Sequence, residues 1–271
     1  MAIPVERLRA GLDQAPSSPR LLRAVGANGV VELGDPKPSD QERMLWALED
    51  NAPRYNEWLL SRALPHAGGH VLEVGAGIGT FTLELAARGI RVTAVEPDPA
   101  LADTLEDRTS DLDDVDVFRG GVEELGYEPV PQPVDSIICF NVIEHIADDR
   151  AALTTMVRYL RPGGQLMLLA PAHSFLFGET DRAVEHWRRY DAGGLSRLLS
   201  DLGLSVVQLQ YVNPLGAAGW FVSSRLLRRK MLSAGSLKLY ERFVPGIRHL
   251  DRLRLPVGLS LWVRAIPQPV S

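Results

Sequence analysis

The chain has 271 residues and one cysteine, Cys139, so no internal disulfide can staple it. Ile137, Ile138 and Phe140 flank that cysteine, which reads as a small apolar residue of a buried strand rather than as a nucleophile. The 6 histidines fall on separate segments. With a single cysteine, the close paired spacing of a zinc site is missing, and no metal is expected. There is no G-x-S-x-G elbow and no Walker phosphate loop, which argues against a serine hydrolase or a P-loop nucleotidase. No stretch is long and apolar enough to cross a bilayer. The first twenty residues lack the continuous apolar run of a secretory signal, so a cytoplasmic, reducing setting is the expectation. With 29 Lys/Arg against 34 Asp/Glu the net charge is −5, which argues against general nucleic-acid binding.

What is present is ordinary globular material, 45% apolar and 23% charged. The length suits one large domain, or a core with appended helices. The charge is uneven: Trp220 to Arg254 holds nine Lys/Arg and two Asp/Glu, a local +7 that leaves −12 for the rest. This stretch reads as a solvated basic helix face, or as a weak contact for an anionic membrane or a second copy of the chain.

Residues 1–39 are polar and rich in Pro and Gly, an irregular leader with one short helix near Val5–Leu12. A capping-box pattern, Ser39 then Glu42, opens a helix through SDQERMLWALEDN, and a second helix covers Tyr55–Ala63. From His70 the period changes. Strands are expected at 70–74, 91–96, 115–118, 134–141, 165–170, 204–211 and 258–265. Helices are expected at 78–88, 100–107, 148–160, 194–202, 216–231 and 237–250. This alternation implies βαβ units: an α/β, Rossmann-like, seven-stranded, mostly parallel sheet flanked by helices. The N-terminal leader and cap helices would fill 1–64. The core would fill 65–271, with a post-strand insertion at 171–191 and C-terminal helices at 214–252. The insertion matches neither a helical nor a strand period.

VLEVGAGIGTF sets Gly75, Gly77 and Gly79 between a strand and a helix, where the backbone must turn tightly and approach a ligand. The spacing is G-x-G-x-G, with Thr80 at the third glycine position of the dinucleotide fingerprint. Glu73 stands beside this loop, where a carboxylate repels pyrophosphate and suits a cation. Glu96 ends the next strand, at the place where Rossmann-like folds put an acid for ribose hydroxyls.

These segments, with CFNVIEHIADD and LRPGGQLMLLAP, resemble the class I S-adenosylmethionine (SAM)-dependent methyltransferases over about residues 55–212. The resemblance implies that Tyr55, Glu73, Gly75, Ala76 and Gly77 line the methionine and ribose part of SAM. Glu96 would bind the ribose, Pro97 and Asp98 flank the adenosine, and Gly121 and Val122 follow the adenine edge. Asn141, Val142 and His145 would close the methionine end. Many relatives carry an acid where this chain has Gly121, so Glu123 or a backbone carbonyl would have to take the adenine amino group. PAHSFLFGETDRAVEHWRRYD, Pro171 to Asp191, is similar to a bacterial methyltransferase subgroup with a P-A-H…L-[FY]-G…D…H-x-R-R-Y segment. That similarity implies a small-molecule acceptor from specialised-metabolite or glycoconjugate biosynthesis.

Methyl transfer needs alignment and exclusion of water more than it needs acid–base chemistry. Where a base is required, the insertion offers His173, His186, Asp181 and Tyr190, with Arg188 and Arg189 as donors. Each also has a structural reading: His173 in a tight turn, His186 with Asp181 folding a lid, the arginines anchoring carboxylates of the protein. Two other functions stay open, an NAD-dependent oxidoreductase and a non-catalytic SAM-binding protein docking through its basic helices.

Overall fold

The computed structural model describes residues 23–26, 29–32, 40–127, 133–228 and 234–268, with side chains from Glu42 onward. The seven expected strands are β3 His70–Val74, β4 Arg91–Glu96, β5 Val115–Arg119, β6 Val134–Phe140, β7 Leu160–Pro171, β8 Leu204–Val212 and β9 Ser260–Pro267. They form one sheet in the order β5-β4-β3-β6-β7-β9-β8. β3 pairs in parallel with β4 and with β6, while β9 runs antiparallel to both of its neighbours, β7 and β8. The chain therefore reverses its direction of winding beside β3, and in open α/β sheets the crevice at such a reversal takes the ligand.

The sequence explains the layering. Val71, Leu72 and Val74 of β3 are buried, as a central parallel strand covered on both faces requires. On one face Leu153 and Met156 of α5 (Asp149–Tyr159) and Leu195 and Leu199 of α7 (Ala192–Asp201) pack together. The opposite face carries Leu59 of α2 (Pro53–Ala63), Leu85 of α3 (Thr80–Ala86), Leu105 of α4 (Pro99–Thr109) and Ile247 of α9 (Ala234–Asp251). α2 has no side-chain cap of its own at Ala52. Glu241 of α9 takes its place, accepting from the N–H groups of Arg54 at 2.6 Å and Tyr55 at 3.2 Å. Arg62 of α2 pairs with Asp251 at 3.4 Å at the other end of α9. Together with α1 (Asp40–Asn51), these helices form the cap over the cleft.

Several elements differ from the sequence reading. The leader contains a two-stranded hairpin, β1 Arg23–Gly26 with β2 Gly29–Glu32, while the helix at Val5–Leu12 and the Ser39 cap lie outside the described residues. α3 is shorter than 78–88 because the glycine bend runs on to Gly79, whose φ of 85° is left-handed. The insertion is not irregular throughout. It contains a 3-10 turn at Ser174–Leu176 and the short helix α6, Glu179–Ala183. The helix expected at 216–231 is α8, Pro214–Trp220, continued by a π turn at Phe221–Leu226.

Candidate functional site

A cavity of about 1130 Å³ opens at the carboxyl ends of β3, β4 and β6. Its floor is the Gly75–Gly77 bend, its roof includes Leu45, Leu48 and Tyr55 of the cap, and its far wall is the turn after β6 with His186 and Trp220. Gly75 has φ 73°, and a Cβ there would collide with the Val142 side chain. Gly77 has φ 59°, and its N–H donates to Glu96 Oε2 at 2.7 Å. Both positions therefore exclude other residues, by backbone conformation and by the space they leave at the cavity.

Two buried acids flank this bend. Glu73 is 2% exposed, and its Oε2 accepts from Thr82 Oγ1 at 2.6 Å. Burial pushes its carboxyl up to about 8; the Thr82 hydrogen bond works against that shift, and the charge of Glu96 adds to it. Burial also raises Glu96, opposed by the N–H groups of Asp98 and Gly77. The Glu73 shift fixes the sign of a pH effect. The folded chain holds a proton that the unfolded chain releases, so this contribution to stability is complete below pH 4.5 and is lost as pH rises through about 8. Glu73→Gln is neutral throughout and should remove a slope of up to about 1.4 kcal/mol per pH unit in that window. Thermal unfolding of the two proteins across the window checks this; parallel curves would mean that Glu73 ionises at no cost.

The twelve residues expected around the cofactor are Tyr55, Glu73, Gly75, Ala76, Gly77, Glu96, Pro97, Gly121, Val122, Asn141, Val142 and His145. All twelve stand on the wall of this one cavity. Asp98 does not line it: its carboxylate caps α4, accepting from Ala100 and Leu101 N–H at 2.9 and 3.0 Å. Glu123 does line it, and a Cβ built on Gly121 would fall 2.6 Å from Glu123 Oε2. The Glu123 carboxylate thus fills the space that a side chain at position 121 would take.

Of the four residues expected beside an acceptor, only His186 reaches the cavity wall. Asp181 sits behind it, fully buried. It accepts from His186 Nδ1 at 2.9 Å, Arg189 Nε at 2.8 Å, Gly178 N–H at 2.8 Å and Trp220 Nε1 at 3.3 Å. Tyr190 is turned away, because its hydroxyl donates to Asp149 Oδ2 at 2.7 Å and its backbone bridges to Ala172. His173 stacks on Tyr211 with ring centroids 4.5 Å apart, outside the cavity. Arg188 pairs with Asp149 at 2.8 Å. Glu144 went unnoticed in the sequence. It is fully buried on the cavity wall, and the only signal for it was an acid next to His145. Burial raises its carboxyl to about 8. Burial and the neighbouring His186 lower His145 to about 4.

Residues 48–209, more than half of the chain, match a family model described as "Methyltransferase domain". The chain belongs to this methyltransferase family. A ubiquinone biosynthesis O-methyltransferase of Xylella fastidiosa is 34% identical over 111 residues, 40% of this chain and 44% of that protein. The chain thus matches less than half the length of that relative. Among solved structures, the N-methyltransferase NodS from Bradyrhizobium japonicum, in complex with S-adenosylhomocysteine, aligns with a TM-score of 0.55 at 19% identity. That alignment covers 84% of this chain and 96% of NodS. A SAM-dependent methyltransferase from Archaeoglobus fulgidus aligns with a TM-score of 0.58 at 14% identity, covering 83% of this chain and 99% of that one. At these identities the structures show a shared fold. The family's cofactor is SAM. The residues of this methyltransferase fit that group: the bend keeps Cβ atoms out of the cleft, and the Glu96 and Glu73 carboxyls beside it can hydrogen-bond ribose hydroxyls and an ammonium group.

Proposed function

We propose that this methyltransferase moves a methyl group from SAM to an oxygen, nitrogen or carbon nucleophile of a small-molecule acceptor from specialised-metabolite or glycoconjugate biosynthesis. The observation that carries the reading is the cleft itself: a left-handed Gly75–Gly77 bend held by Glu96, with buried Glu73 alongside, opening into one apolar-walled cavity of about 1130 Å³. That volume exceeds the roughly 300–1,000 Å³ of a single small-molecule site and leaves room for an acceptor beside the nucleoside.

When bound, SAM supplies a methyl carbon activated by its positively charged sulfur. Glu96 would hold the ribose, and Glu73 with the bend would hold the cationic amino-acid end. Glu123, in the space beside Gly121, would take the adenine amino group. Glu123→Ala should therefore weaken SAM binding by about 0.5–1.5 kcal/mol, the net value of one hydrogen bond, as read by calorimetry. An unchanged affinity would return that contact to a backbone carbonyl. On the acceptor side the cap helices exclude water. His186, with Nδ1–H committed to the Asp181 carboxylate, keeps Nε2 free to accept a proton from the nucleophile. His173 and Tyr190 hold the insertion and make no contact with the acceptor in this reading.

The test is incubation with methyl-labelled SAM and a panel of phenols, sugars and amines, scored by release of S-adenosylhomocysteine. His186→Gln should lower turnover by roughly 10²–10⁴-fold while leaving SAM affinity near that of the wild type. SAM binding with no turnover on any acceptor would favour the non-catalytic reading, in which the chain docks through its C-terminal helices. A specific observation supports such docking: Leu226, Leu227, Leu239 and Phe243 are exposed in the same stretch as exposed Arg225, Arg228 and Arg242. Flotation with anionic vesicles should then recover the chain, and charge reversal at Arg225 and Arg228 should leave it in solution.

A further inference from the structure

We propose that Glu144, His145 and His186 form a binding site for a divalent transition-metal ion on the wall of the cavity. Spacing argued against a metal because the histidines lie on different elements, but the fold brings those elements together. Glu144 and His145 belong to the 3-10 turn Ile143–His145 after β6, and His186 comes from the insertion. The two segments are joined where Trp187 N–H donates to the Glu144 carbonyl at 2.8 Å. One ligand atom from each of the three side chains lies within 4.8 Å of the other two. His186 Nε2 stands 3.8 Å from Glu144 Oε1. Ligands bound at the usual N and O distances from one ion sit about 3–4.4 Å apart, so small side-chain rotations complete the set.

A second, independent observation points to a cation. Glu144 is fully buried, and among the described residues no other residue donates a hydrogen bond to either of its carboxylate oxygens. A buried carboxylate without donors is costly, and such groups are paired or coordinate metals. Arg189 offsets that cost only through its charge, because Nε of that guanidinium donates to Asp181 and Nη1 to the Ala172 carbonyl rather than to Glu144. His186 is set as a ligand by the same neighbourhood. Asp181 accepts its Nδ1–H, which fixes the tautomer and leaves Nε2 as the lone-pair donor, the carboxylate–histidine arrangement that orients metal-bound imidazoles. Two imidazoles and one carboxylate suit zinc, cobalt, iron or manganese better than magnesium or calcium, which prefer all-oxygen sets. With the ion bound, His186 Nε2 is a ligand and its role as a base belongs to the metal-free chain; the remaining positions face the cavity, where an oxygen of the acceptor would bind. That last use rests on the methyl-transfer reading; the metal site does not.

The test is titration of the chelator-treated full chain with Co²⁺ alone, followed by visible d–d absorption, with bound metal counted by mass spectrometry after gel filtration. One Co²⁺ per chain is expected, displaced by Zn²⁺. Glu144→Gln and His186→Gln, which keep side-chain size, should each weaken binding at least about tenfold, whereas His249→Gln, an exposed histidine, should leave it unchanged. Circular dichroism verifies that the variants fold. Co²⁺ held no more tightly by the wild type than by the Glu144→Gln/His145→Gln/His186→Gln triple variant would overturn the site. SAM calorimetry on the same samples separates the two readings: metal binding without SAM binding removes methyl transfer and keeps the site, and the reverse removes the site alone.

Discussion

Asp181→Ala should lower the unfolding free energy by about 3–5 kcal/mol, the cost of stripping one partner from a buried ion pair. The Asp181 carboxylate is the acceptor for four donors from three segments: Gly178 N–H, His186 Nδ1, Arg189 Nε and Trp220 Nε1. The Arg189 side chain is 1% exposed, so its guanidinium would stay buried with the Ala172 carbonyl, the face of Trp220 and the more distant Glu144 carboxyl as its surroundings. Denaturant midpoints at constant slope measure the loss. Asp181→Leu combined with Arg189→Met, which removes both charges, should recover much of it. A loss below about 1 kcal/mol for Asp181→Ala would mean that the insertion folds without its charged centre.

Glu96→Ala should weaken SAM by about 1.5–3 kcal/mol, tenfold to more than a hundredfold, the range for hydrogen bonds involving a charged group. The variant also removes the acceptor for Gly77 N–H at 2.7 Å and Asp98 N–H at 2.9 Å, so the bend keeps only the Gly75 and Ala76 N–H bonds to the Val95 carbonyl at 2.8 and 3.0 Å as hydrogen bonds to β4. Calorimetry with SAM and with S-adenosylhomocysteine should show equal losses, because both share the ribose. Glu73→Gln should differ: its loss should grow as pH rises through about 8, where the Glu73 carboxyl ionises, and should be the same for both ligands, because both carry the amino group that Glu73 would hold. Losses with the same pH dependence in the two variants would mean that the acids do not divide the nucleoside between them.

The sheet was legible because its signal is local. His70–Val74 and Arg91–Glu96 are short Val-rich runs that end at glycine or proline, and such runs state their own burial and their own ends. The cleft was legible for a related reason, since Gly75, Gly77 and Glu96 stand at strand ends that the fold rule brings to one crevice. What failed to show depends on pairing across distance. The β1–β2 hairpin lies in a Pro- and Gly-rich leader without an alternating pattern, and its only signal is the Asn28-Gly29 pair between two short Val-containing runs. α6 has five residues, too few for a helical period. The roles of Tyr190 and His173 turned on partners, Asp149 and Tyr211, that no spacing predicts. Glu144 reads in sequence as one more loop acid; only its burial without a donor, beside His145 and His186, sets it apart.

The central claim is that a sulfonium nucleoside lies over the Gly75–Gly77 bend with its ribose on Glu96. A crystal structure of the chain grown with S-adenosylhomocysteine tests it most directly. The account predicts the ribose hydroxyls against the Glu96 carboxylate, the amino-acid end beside Glu73 and the adenine amino group near Glu123. Nucleoside density bound elsewhere, or a cleft holding only solvent at saturating ligand, would contradict it.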